Sequence, residues 1–143
     1  MTPAEITLVK DSFAKVAPIA EQAAALFYQR LFELDPALRP LFKGGDMVAQ
    51  GRKLMASLAM VTAALDRPEK ILPAVRDMGV RHAAYGVRDE HYATVGAALL
   101  WTLEQGLGPD FTAEVRAAWT AAYALLAGEM TATARAASAG KSG

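Results

Sequence analysis

The chain has 143 residues, 53% of them apolar, and fifteen basic against fifteen acidic side chains give it no formal net charge. That length suits one domain burying about two-thirds of its unfolded surface, and nothing in the even charge advertises nucleic acid, an anionic membrane surface or steering of a charged partner. With no cysteine there is no disulfide scaffold, thiolate metal site or cysteine nucleophile, which fits a reducing compartment. The N-terminus carries no basic segment followed by an apolar one, so no signal peptide is expected. The longest uncharged run, His91 to Leu103, is shorter than the roughly 18 residues a membrane span requires. A cytoplasmic, single-domain protein with no nucleic-acid or membrane partner is expected.

In chain order, Thr2-Pro3-Ala4-Glu5 reads as a capping box with proline at the first helical position, and Ile6, Val9, Phe13 and Val16 mark one helix face. A second helix is predicted from about Ile19 to Leu34, with Ala24, Phe27, Leu31 and Leu34 on its stripe. Asp35-Pro36 ends it and opens a short helical turn that finishes at Leu41-Phe42. After the loop Lys43-Gly44-Gly45, Asp46 caps a helix whose stripe is Met47, Leu54, Leu58, Val61 and Leu65. Asp66-Arg67-Pro68 breaks it. The next helix carries Ile71, Val75, Met78, His82 and Tyr85 and ends at Gly86. Tyr92, Val95, Leu99 and Leu103 define another, closed by Gly106-Leu107-Gly108-Pro109. The last begins near Thr112 with Val115, Trp119, Ala122, Leu126 and Met130. No segment alternates with period two, so the fold class is all-α, with about seven helices. The folded domain is assigned to 1–134, and the small polar run 135–143 is expected to be a flexible tail.

Three polar side chains interrupt these apolar stripes. His82 is one of two histidines, and a neutral imidazole on a core face is either a satisfied core group or a ligand. Tyr28 follows Ala24 by one turn and precedes Leu31 and Phe32; a buried phenol ordinarily has a hydrogen-bond partner, most often backbone. Gln50 stands one turn before Leu54, where burial is costly unless the amide is paired, or where the helix start remains wet. Together they bring an imidazole, a phenol and an amide inward from three helices, with no carboxylate beside them. That is a poor hydrolase or metal-carboxylate site. It is a reasonable pocket for a large apolar cofactor with one axial imidazole and two neutral groups facing a small ligand.

Six segments then carry a family resemblance: Leu26-Phe27-Tyr28-Gln29-Arg30-Leu31-Phe32, Asp35 to Phe42, Gln50 with Lys53-Leu54, Val80-Arg81-His82 leading to Tyr85-Gly86-Val87, His91 to Gly96, and Ala118 to Tyr123. In this order and spacing, from about Glu5 to Met130, the chain resembles a bacterial globin of the flavohaemoglobin and single-domain (Vitreoscilla-type) haemoglobin group. The resemblance implies a three-over-three helical sandwich around a b-type haem. It makes His82 the proximal iron ligand, Tyr28 and Gln50 the distal pair, Leu54 the apolar neighbour of the bound gas, and Phe42 the phenylalanine on the haem face. Met78 and Val87 would line the proximal side, Tyr92 would stand behind the proximal histidine with Val95 nearby, and Lys53 and Arg81 would reach the haem propionates. The family's glutamate behind that tyrosine falls at Ala134, and Glu129 is out of register.

The haem would be held without covalent attachment, because no Cys-x-x-Cys-His is present. The second ring nitrogen of His82 would be held by a backbone carbonyl about one turn earlier. The implied function is reversible binding of O2, and of NO and CO, on ferrous iron. The alternatives are nitric oxide dioxygenation with an external reductase, and a gas-sensing module joined through the tail. A monomer or homodimer is expected. His91 directly follows Asp89-Glu90 and reads as a surface or capping residue, not a second axial ligand.

Overall fold

The computed structural model describes residues 1–42, 46–84 and 87–142, excepting the side chains of residue 89 and of 137–142. Six α-helices run in order: α1 (Pro3–Val16), α2 (Ala20–Leu34), α3 (Met47–Ala63), α4 (Pro68–Ala84), α5 (Asp89–Leu107) and α6 (Ala113–Ser142). Short 3-10 turns span Ala17–Ile19, Pro36–Phe42 and Gly108–Asp110. The turn at Pro36–Phe42 is the seventh helical element expected, and no strand occurs among the described residues.

Local chemistry sets the helix ends. The Thr2 hydroxyl accepts from the Glu5 N–H and the Glu5 carboxylate accepts from the Thr2 N–H, the reciprocal capping box. Asp46 accepts from the N–H groups of Val48 and Ala49. Gly108 closes α5 with a φ of +55°, a conformation that a side chain would strain. At the other end of the chain, α6 runs as helix to Ser142, through the segment from 135 onward that the sequence reads as a tail. Alanine, the strongest helix former, supplies 132, 134, 136, 137 and 139. Tyr85, Gly86 and the loop 43–45 lie outside the described residues.

The helices pair as α4 on α6, α2 on α5, α1 on α6 and α2 on α3, which makes two crossed layers. Val9, Phe27, Leu31, Val61, Val75, Leu103 and Trp119 are buried on the predicted stripes, whereas Leu34 is exposed. Each large apolar side chain removed from water stabilises by about 1.5–3 kcal/mol. Across α1 and α6, the Trp119 indole N–H donates to Ser12 Oγ at 2.7 Å, and that hydroxyl donates to the Leu8 carbonyl at 2.6 Å. Gly79 lets α4 touch α6: a Cβ there would lie 2.6 Å from the Met130 carbonyl oxygen. This contact seats the last turn of α4, which carries His82.

Candidate functional site

The two layers do not close completely at the centre. α2, α3, α5, α6 and the Pro36–Phe42 turn surround a cavity whose walls include Leu31, Leu54, Leu58, Val95, Leu99 and Leu126. Leu54, Leu58 and Val95 lie on apolar stripes yet are only half-buried by the polypeptide, because they face this space. A concave apolar cavity with a few polar groups is the usual form of a cofactor or small-ligand site. The polar groups here are Tyr28, Gln50, Thr62, His82, His91, Tyr92 and Tyr123. No cluster of three metal-ligating His, Asp or Glu side chains exists among the described residues.

His82 lies in the last turn of α4 with its Nδ1 2.7 Å from the Met78 carbonyl. A carbonyl can only accept, so Nδ1 carries the proton and Nε2 keeps its lone pair. That tautomer is the one a metal-binding imidazole requires.

Tyr28 is 8% exposed and caged by aromatic rings. Phe27 meets it edge-on at 5.0 Å and Phe42 at 5.5 Å, while Phe32 stacks at 6.2 Å. Burial pushes its hydroxyl up to about 12, and a hydrogen-bonding contact from Gln50 pulls the other way. The phenol is therefore a neutral donor at physiological pH. Of this cage, Phe27 and Phe32 are not among the expected site residues. Phe27 adjoins Tyr28 in sequence and Phe32 follows it by one turn, which was the available signal, but periodicity does not distinguish a cage wall from ordinary core.

Tyr123 donates its hydroxyl to the Tyr92 carbonyl at 2.6 Å. Burial, then the neighbouring Tyr92, raises its pKa. The bond ties α6 to the first turn of α5, and Gly96 makes room for it: a Cβ there would sit 2.8 Å from the Tyr123 ring.

The cavity gathers Tyr28, Phe42, Gln50, Leu54, His82, Val87, Tyr92 and Val95 from the expected set. Three expected residues are elsewhere. Lys53 is exposed and off the wall. Arg81 is exposed and pairs with Asp77 at 2.9 Å, one turn back on α4. The Met78 side chain is half-buried away from the wall; its contribution is the carbonyl that orients His82. Position 134, where the family resemblance would put a glutamate, is Ala134, and Glu129 is paired with Arg76 at 3.6 Å. His91 is the unexpected member. It caps α5 through an Nδ1 that accepts from the Arg88 N–H at 2.9 Å, and the same ring lines the cavity.

Two crossed helical layers around an apolar cavity, with one metal-competent imidazole, define an all-α cofactor-binding protein. The globin family profile matches residues 25–130, and this chain belongs to the globins, a family of haem-binding proteins. It is 36% identical to the flavohemoprotein of Bordetella parapertussis over 129 residues, which cover 89% of this chain and 32% of that protein. The chain thus spans about a third of the length of that relative. It is 28% identical to neuroglobin of Danio rerio over 137 residues, covering 87% of this chain and 86% of that one. Among solved structures, it is similar to an engineered carbene transferase derived from a Rhodothermus marinus protein named for nitric oxide dioxygenase activity. That likeness has a TM-score of 0.90 at 28% identity and covers 100% of this chain and 99% of the other.

Proposed function

We propose that this chain is a b-type haem globin that reversibly binds O2, and also NO and CO, with His82 as the proximal ligand and Tyr28 and Gln50 as the distal donors. The observation that carries the reading is the His82 tautomer, which leaves Nε2 as a lone-pair donor inside an apolar cavity. The donor set fits an iron porphyrin: one imidazole with an unengaged Nε2 at His82, broad apolar walls and no carboxylate among the described lining residues. Haem, when bound, supplies the iron that coordinates the diatomic gas.

The protein's own groups do the rest. The Met78 carbonyl holds the imidazole in orientation. Leu54, Leu58 and Val95 exclude water, so each polar contact inside is stronger than it would be in solvent. Tyr28, protonated up to about pH 12, presents an O–H to a ligand carrying partial negative charge, with Gln50 beside it. Each such hydrogen bond is worth on the order of 1 kcal/mol.

A second reading, nitric oxide dioxygenation driven by an external reductase, is favoured by the names of the flavohemoproteins and of the Rhodothermus marinus neighbour. Absorption spectra of the hemin-reconstituted protein in ferric, ferrous and CO forms test the haem assignment. Mixing the O2-loaded protein with NO in air-equilibrated buffer, with and without a supplied reductase and its electron donor, separates the two activities: nitrate that stays stoichiometric without the reductase and becomes catalytic with it, at the expense of dissolved O2, favours the second.

A further inference from the structure

We propose that His91 is a second, non-coordinating anchor for the haem, donating its Nε2–H to a propionate carboxylate. This inference rests on the haem reading above.

Three observations carry it. First, the ring is fixed. The Arg88 N–H donates to His91 Nδ1 at 2.9 Å, and the His91 N–H donates to the Arg88 carbonyl at 3.0 Å, so the imidazole is held by a reciprocal cap at the start of α5. Second, the cap decides the tautomer. A backbone N–H can only donate, so Nδ1 holds the lone pair and the ring proton sits on Nε2. His82 is held the opposite way, by an acceptor at Nδ1. The two imidazoles of one cavity are thereby sorted: His82 offers a lone pair and His91 offers a donor. Third, the position suits a carboxylate. His91 lines the apolar cavity and is itself only half-buried, so a carboxylate bound by it would keep part of its hydration.

The rival cations are not among the residues that line the cavity. Arg81 pairs with Asp77, and Lys53 is exposed. Arg88 is exposed and reaches Glu90 at 3.8 Å. Of the other lining donors, Tyr123 is bonded to the Tyr92 carbonyl and Trp119 to Ser12.

The experiment separates anchoring from capping. His91→Glu keeps an acceptor for the Arg88 N–H, since glutamate is a capping-box residue at this position, but has no ring donor and adds a negative charge. His91→Ala loses both cap and donor. The 143-residue wild type and both variants are loaded with hemin or with hemin dimethyl ester, which has no free carboxylate. Loss of the porphyrin to excess apomyoglobin is followed at the Soret band, and thermal unfolding of the apo-proteins reports on the cap.

With hemin, both variants should release haem about five- to tenfold faster than wild type, the range for one charge-assisted hydrogen bond at a partly wet site. The glutamate should be at least as fast as the alanine, despite an intact cap. With the dimethyl ester, the variants should match wild type. An effect confined to His91→Ala, an unchanged difference with the ester, or no effect in either variant overturns the proposal. If wild type gains no Soret band with hemin, it is the haem reading that fails.

Discussion

Nδ1 of His82 donates to the carbonyl of Met78, one turn back on α4, at 2.7 Å. The bond lies within a single helix, so it forms as α4 forms and needs no partner from the other layer. It presents an Nε2 lone pair before any ligand arrives, which lowers the ordering cost of binding. His82→Gly should abolish the Soret band of the hemin-loaded protein at low hemin excess, and added imidazole should restore it. An undiminished band in the variant without imidazole would place the iron ligand elsewhere.

On the proposed haem reading, gas retention depends on the Tyr28 hydroxyl. Tyr28→Phe keeps the aromatic cage with Phe27, Phe32 and Phe42 and removes one donor. O2 dissociation should quicken by about tenfold, equivalent to about 1.4 kcal/mol, and CO dissociation by much less, because bound CO carries little charge. Flash photolysis and stopped-flow displacement measure both. Equal acceleration of the two gases would overturn the distal-donor assignment.

The same hydroxyl makes alkaline stability measurable. Its pKa is raised from 10.0 to about 12 by burial, so the folded state holds the proton more tightly than the unfolded chain does. The contribution is fully present below pH 10 and is lost as pH climbs through about 12. At most it amounts to on the order of 2–3 kcal/mol. Urea unfolding of the apo-protein across that window should give a falling free energy, and Tyr28→Phe should flatten part of the fall.

Gly79→Ala should weaken the protein from a distance. Its Cβ would meet backbone of Met130 at 2.6 Å, an obstacle that no side-chain rotation removes. α4 must move off α6, with a cost of about 1–3 kcal/mol by the measure of overpacked cores. His82 lies three residues further along α4, so hemin affinity should fall in parallel with the denaturation midpoint. A loss of stability with unchanged hemin affinity would show that the last turn of α4 is seated independently.

Ser12→Ala strands the Trp119 indole N–H, which now donates to Ser12 Oγ inside the core. A buried donor left without a partner costs about 1–3 kcal/mol. Chemical denaturation should register that loss, and Trp119→Phe in the same background should recover part of it.

The helices were legible because each has an apolar stripe at helical spacing and chemically explicit ends. Thr2 with Glu5, Asp46, and Gly108 each act as their residue types predict. Tyr28, Gln50 and His82 stood out because each breaks a stripe with a polar group, a contradiction that a cavity resolves. Their sequence positions alone left the bland readings open, a satisfied core imidazole and a backbone-bonded phenol among them.

What the chain order and side-chain chemistry determined by themselves was the helical class, the azimuth of each residue about its own axis, and the Met78–His82 bond. All three arise from contacts within a turn or two. Only tertiary structure decided which groups share the cavity. Lys53 and Arg81 carry flexible stems whose charged ends go wherever water or a neighbour such as Asp77 offers most, and helical period says nothing about that. His91 lines the cavity wall from the first turn of α5, a place fixed by where α5 packs on α2 and α6. Crossing geometry is set by ridges, grooves and close approaches such as Gly79 on Met130, which exist only once the helices have met.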